Sequence, residues 1–178
     1  MELLGRQEVW NITYDHALGE TASYFFTQIR DNGKIFGRRC AKSNKVLVPP
    51  RAFSDETLLP TTEWVEVGPG GRVEAFTFVY EQFNNLPPPP YAFGYVLLDG
   101  ADTALGGYFK GVDLTNPREA AEALAIGTRV VTKFAEQRKG DVLDFWFEVA
   151  LRPREARIIC HRGTEHTEIK NYTRRPKE

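Results

Sequence analysis

Four side chains pose the first chemical question. Cys40, Ser43, Ser54 and Thr57 lie in the run C-A-K-S-N-K-V-L-V-P-P-R-A-F-S-D-E-T, two pairs at i, i+3 spacing on either side of a short hairpin. Four thiolates at that spacing would close a tetrahedral shell around a structural zinc ion. Ser and Thr hydroxyls stay protonated and neutral near pH 7 and make poor ligands, so the pattern keeps a ribbon's frame and predicts that zinc is absent. An ordinary loop with one Cys and a few hydroxyls would show the same spacing.

Other candidate chemistry is sparser. The three histidines are His16, His161 and His166. Cys160-His161 with His166 could be a metal or Cys/His site, but neighbours on an extended strand point to opposite faces and do not converge. Gly68-Pro69-Gly70-Gly71 lacks the helix and Lys-Ser/Thr of a phosphate loop and reads as a turn, while Gly106-Gly107 suggests a bulge or a barrel corner. Carboxylates are abundant but scattered, with no pair set apart for acid/base work. Arg38, Arg39, Lys42, Lys45 and Arg51 gather positive charge around the hairpin; a solvated surface explains them, and so would phosphates gripped by guanidinium groups.

These residues need elements to position them. Apolar residues at helical spacing (Leu18, Ala22, Phe25, Phe26, Ile29) predict a helix from about Thr13 to Asn32, with Gly33 ending it in a left-handed conformation. Lys34 to Cys40 and Lys45 to Val48 follow as hairpin arms, closed by Pro49-Pro50. From Thr62 the chain reads as strands: Glu63 to Val67, Arg72 to Phe83, Tyr91 to Leu98, Thr103 to Val112, Thr128 to Gln137 and Val142 to Leu151. A short helix from Asn116-Pro117 to about Ala125 sits between the fourth strand and the last pair. In Arg72 to Phe83, Phe76, Phe78 and Tyr80 share one face and Val73, Ala75, Thr77 and Val79 the other, so both faces are expected to need cover. Leu143, Phe145, Phe147 and Val149 form one apolar face of the last strand. The fold class expected is mainly β with an N-terminal helix: a degenerate ribbon-like hairpin followed by a five- to six-stranded oligonucleotide/oligosaccharide-binding (OB) barrel. The boundaries are 1–33 for the helical segment, 34–61 for the ribbon, 62–151 for the barrel and 152–178 for a charged extension, in which Ile158-Ile159-Cys160 could add an edge strand.

Composition bounds the function. The chain has 178 residues, 42% hydrophobic and 26% charged, enough for one core and too few for several large domains. Twenty-three Lys+Arg against 24 Asp+Glu leave a net charge of −1, without the basic excess of a general nucleic-acid binder. No run approaches the roughly 18 apolar residues of a membrane helix, and the N-terminus lacks a secretory pattern, so a cytoplasmic protein with reduced Cys40 and Cys160 is expected.

The order of motifs adds a resemblance. The helix, the phrase V-L-V-P-P-R, the segment T-E-W-V-E-V-G-P-G-G-R-V-E-A-F-T-F-V and the late L-A-I-G-T-R-V together resemble the DUF35 family, over residues 14–150. That resemblance implies a helix and rubredoxin-like zinc ribbon joined to an OB-fold. It implies a non-catalytic accessory subunit that binds a thiolase-like or other acyl-CoA-processing enzyme and helps bind or channel the acyl-CoA. The family's usual four cysteines would map onto Cys40, Ser43, Ser54 and Thr57, a departure that puts zinc in doubt. Under this reading Trp64, Phe76, Phe78, Tyr95 and Phe109 supply apolar contacts, and Arg51 with Arg38, Arg39, Lys42 and Lys45 faces the nucleotide end of a coenzyme A thioester. No tightly bound cofactor and no membrane partner are expected. The alternative is a single-stranded nucleic-acid binder that stacks bases on barrel aromatics, which the charge balance disfavours; an independent acyl-CoA hydrolase or acyltransferase lacks a catalytic constellation.

Overall fold

The computed structural model describes residues 4–10, 12–83 and 86–150. The expected extension at 152–178, with His161, His166 and Cys160, lies outside the described residues.

Helix α1 spans Gly19–Asn32 and buries Phe25 and Ile29. It starts later than its apolar spacing suggests because Gly19 sits at φ 73°, outside the right-handed region, and a helix cannot run back through such a residue. Leu18, expected on the buried face, is therefore exposed, as are Trp10, Ile12 and Tyr14 ahead of it. The other end is as expected: Gly33 is left-handed, and the Gly33 and Lys34 amides donate to the Ile29 and Gln28 carbonyls.

A small antiparallel sheet follows, in the order β2-β1-β3, from β1 (Ile35–Cys40), β2 (Val46–Leu47) and β3 (Thr61–Val67). The Glu63 to Val67 segment, expected to open the barrel, pairs with β1 over its whole length and belongs to this sheet. Side chains of the loop after the second barrel strand fasten the sheet to the barrel. Asp102 Oδ2 accepts from the Val46 amide at 2.8 Å, and the Thr103 hydroxyl both accepts from the Val48 amide and donates to the Val48 carbonyl, at 2.7 and 2.8 Å.

The barrel is closed, in the order β4-β5-β6-β8-β7, by β4 (Gly70–Val79), β5 (Tyr91–Leu98), β6 (Leu105–Lys110), β7 (Arg129–Phe134) and β8 (Phe145–Val149). Only β6 and β8 run parallel. Helix α2 (Pro117–Ala123) lies between β6 and β7, capped by the Asn116 side chain with Pro117 at its first turn, and Leu124 behind it is fully buried. Closure removes sheet edges and fills the interior with side chains, chiefly Val73, Val96, Leu98, Phe109, Val130, Phe145 and Phe147.

Three strand expectations change. A bulge between Val73 and Ala75 reverses the alternation of β4: Val73 points inward, and beyond the bulge Phe76 and Phe78 pack against the core while Ala75 and Thr77 are exposed. The aromatic side chains of β4 thus lie on its inner side, with exposed Ala75 and half-buried Val79 on the other. The Gly106-Gly107 pair marks no bulge, since β5 and β6 pair in unbroken register. Gly107 instead faces inward where a Cβ would stand 2.7 Å from the Phe147 ring. The last strand begins at Phe145, leaving Leu143 exposed, because Asp144 turns the chain there: its Oδ2 accepts from the amides of Lys139, Gly140 and Asp141 at 2.8, 2.6 and 3.0 Å.

Candidate functional site

The outer face of β5 and β6 holds an aromatic array. Along β5, Ala92, Gly94, Val96 and Leu98 point inward and Tyr91, Phe93 and Tyr95 outward; along β6, Leu105, Gly107 and Phe109 point inward and Tyr108 outward. The outward rings meet edge to face, with centroids 5.5 Å apart for Tyr91 and Tyr108, 5.3 Å for Phe93 and Tyr108, and 6.2 Å for Phe93 and Tyr95. Gly106 lies beneath Phe93 and Tyr95, where a Cβ would come within 3.3 Å of both rings. Burial among these rings pushes the Tyr108 phenol up, and Tyr91 adds to it, so this phenol stays neutral at physiological pH. Next to it, Lys110 stands 3.7 Å over the Trp146 ring, and the Trp146 indole donates to Glu148.

Two apolar hollows flank this face. One, of about 330 Å³, is lined by Pro87, Tyr91, Tyr108, Lys110, Leu143 and Phe145. The other, of about 240 Å³, lies where helix, small sheet and barrel meet, between Phe25, Phe26, Pro49, Pro50, Leu105 and Val142. Val142 and Leu143, both more than half exposed, form the rim between them.

The residues expected from sequence are divided by the structure. Tyr95 is on the array and 51% exposed. Phe109 is 5% exposed, inside the barrel against Phe147, and reaches the surface only as part of the lining of the hollow beside Tyr91 and Tyr108. Phe76 and Phe78 pack on the core 5.3 Å from each other. Trp64 stacks on Tyr24 of α1 at 4.1 Å and lies under Arg38, whose guanidinium also donates to Thr21 and to the Thr61 carbonyl. The remaining ribbon cations are mostly engaged: Arg39 with Glu63, Lys45 with Glu56 and Arg51 with Asp55, while Lys42 is exposed without an ion pair among the described residues. Sequence reasoning missed Tyr91, Phe93 and Tyr108, although the alternation of the first two with small residues in Y-A-F-G-Y, and the place of Tyr108 after Gly106-Gly107, were the available signal.

Cys40, Ser43, Ser54 and Thr57 belong to two facing loops. Cys40 and Ser54 are buried, and Cys40 Sγ lies 3.3 Å from the Thr57 hydroxyl. The Ser43 side chain above all, then the Ser43 amide and the Thr57 hydroxyl, lower the Cys40 thiol to about 6 against the opposing effect of burial. The Ser43 hydroxyl is itself buried and makes no hydrogen bond of standard geometry among the described residues, so its influence on the sulfur is one of proximity. One thiol and three neutral hydroxyls do not fit zinc, and among the described residues no three His, Cys, Asp or Glu side chains converge.

The family model for the C-terminal OB-fold domain of ChsH2 matches residues 64–135. They hold the end of β3 and four of the five barrel strands, β4 to β7. The match bears out the DUF35 resemblance read from the sequence. A chain of the solved Ltp2-ChsH2(DUF35) aldolase is similar in structure, with TM-score 0.58 and 19% identity over 77% of this chain and 100% of that one. A DUF35 protein of unknown function from Sulfolobus solfataricus has TM-score 0.54 and 18% identity over 74% of this chain and 87% of that one. No curated protein matches in sequence. Among the described residues, no helix is long and apolar enough to cross a membrane.

Proposed function

We propose that this chain is a non-catalytic accessory subunit that docks on a thiolase-like or other acyl-CoA-processing enzyme through the aromatic face of its barrel. The observation that carries the reading is the array of Tyr91, Phe93, Tyr95 and Tyr108, apolar, neutral and flanked by two hollows. Tyr and Phe are enriched at the centres of protein interfaces, where large rigid rings bury much area at little entropic cost. The partner's class is supported by the structurally similar chain, which is part of an Ltp2-ChsH2 aldolase. The ribbon would meet the nucleotide end of an acyl-CoA: Lys42 is exposed, and Arg51 and Lys45 are held only by exposed carboxylates, which phosphate can displace because exposed ion pairs are weak. Trp64 and Arg38 hold α1 against the sheet and serve this site indirectly.

Co-expression with the thiolase-like enzymes of the native host, read by native mass spectrometry, tests the docking. A heteromer is expected, weakened by Tyr95→Ser with Tyr108→Ser. A chain that stays alone and leaves every such enzyme's folding and activity unchanged would sink it.

The aromatic face gives one specific reason to weigh nucleic acid as a second reading, since bases stack on such rings in OB barrels. Net charge −1 and the engagement of Lys110 by Trp146 count against it. Binding to a labelled oligonucleotide that falls steeply with added salt would establish it.

A further inference from the structure

We infer that the ribbon is a metal-free knuckle pair: backbone hydrogen bonds and the barrel set its shape, and that same backbone would close around zinc if thiolates replaced its three hydroxyls. The two loops repeat one geometry. In the first, the Cys40 amide donates to the Lys45 carbonyl at 2.9 Å and the Asn44 amide to the Cys40 carbonyl at 2.8 Å. In the second, the Ser54 amide donates to the Leu59 carbonyl and the Leu58 amide to the Ser54 carbonyl, both at 2.9 Å. The residue after each second ligand position is left-handed, Asn44 at φ 59° and Leu58 at φ 57°. Asn tolerates that conformation, but for Leu it costs about 1–2 kcal/mol. Leu58 is 80% exposed, so its own burial does not offset this, and the loop's shape must be imposed from elsewhere.

What imposes it is visible. The Thr61 hydroxyl donates to the Arg51 carbonyl and the Thr61 amide to the Ala52 carbonyl, closing the second loop at its base. The Cys40–Thr57 contact joins the two loops, Lys45–Glu56 and Arg51–Asp55 brace them from outside, and Asp102 and Thr103 tie β2 to the barrel. A ribbon standing alone needs its metal because its core is too small. This one draws instead on the core behind it.

The test uses the full chain. Purified from zinc-supplemented medium, the wild type should carry only substoichiometric zinc by elemental analysis and melt at the same temperature with and without EDTA; stoichiometric zinc or an EDTA-lowered melting temperature would overturn the first half. The variant Ser43→Cys/Ser54→Cys/Thr57→Cys should bind one equivalent of cobalt(II), with the charge-transfer and ligand-field bands of a tetrahedral thiolate site. Should it fail to fold, Ser43→Cys/Thr57→Cys, which leaves buried Ser54 alone, is read the same way. Absence of those bands in both variants would overturn the second half.

Discussion

At Cys40 a single atom gathers what a zinc ion would otherwise organise. Its thiol is lowered to about 6 by the Ser43 side chain first, then the Ser43 amide and the Thr57 hydroxyl. In the unfolded chain a thiol titrates near 8.5. Between these values the unfolded state binds more protons, so folding stability rises with pH from about 6 to about 8.5 and the gain is lost as pH falls back through 6. Urea midpoints across that window should rise more in the wild type than in Cys40→Ser; parallel curves would show that the sulfur keeps its proton. A second residue argues from a deficit. Thr132 is 4% exposed and its hydroxyl has no partner among the described residues, so Thr132→Val should raise stability by about 1 kcal/mol, read as a higher melting temperature. A lower one would mean that the hydroxyl is satisfied.

At the level of elements, the attachment of the ribbon to the barrel is the decisive joint. Thr103 contributes one hydroxyl to two hydrogen bonds with Val48, and Thr103→Val should cost about 1–3 kcal/mol because it leaves the Val48 amide buried and unpaired. Hydrogen exchange should quicken at β1 and β2 before the barrel; uniform change, or none, would place the joint elsewhere. Such joints are where sequence reading stops. The helix stop at Gly33, the hairpin and the capped α2 were legible because local chemistry decides them: a left-handed glycine, period-two alternation, Asn-Pro at a helix start. The bulge in β4 was hidden, and with it the inward turn of Phe76 and Phe78, since one extra residue inverts a strand without changing its composition. The assignment of β3 to the small sheet was equally hidden, because a strand's own residues do not say which neighbour it pairs with. Asp144 delays the start of the expected last strand through a carboxylate that three amides share, a contact made by folding back rather than by spacing.

Across the whole molecule, helix, ribbon and barrel share a core and leave one side of the barrel aromatic. Tyr95 alone of that array was singled out from sequence, and Phe109, the residue chosen on β6, faces inward while its neighbour Tyr108 faces outward, because adjacent residues of a strand take opposite faces. The account assigns the array to a protein partner, so Phe93→Ser with Tyr95→Ser should leave the melting temperature nearly unchanged while loosening the complex at least tenfold, about 1.4 kcal/mol. Binding isotherms and melting curves on the same two proteins check both halves; a variant that binds normally would move the interface elsewhere. The most direct measurement is native mass spectrometry of the full-length chain captured from its native host. The account predicts a defined heteromer whose second subunit is a thiolase-like or other acyl-CoA-processing enzyme. A chain that elutes alone, or with nucleic acid in that enzyme's place, would contradict it.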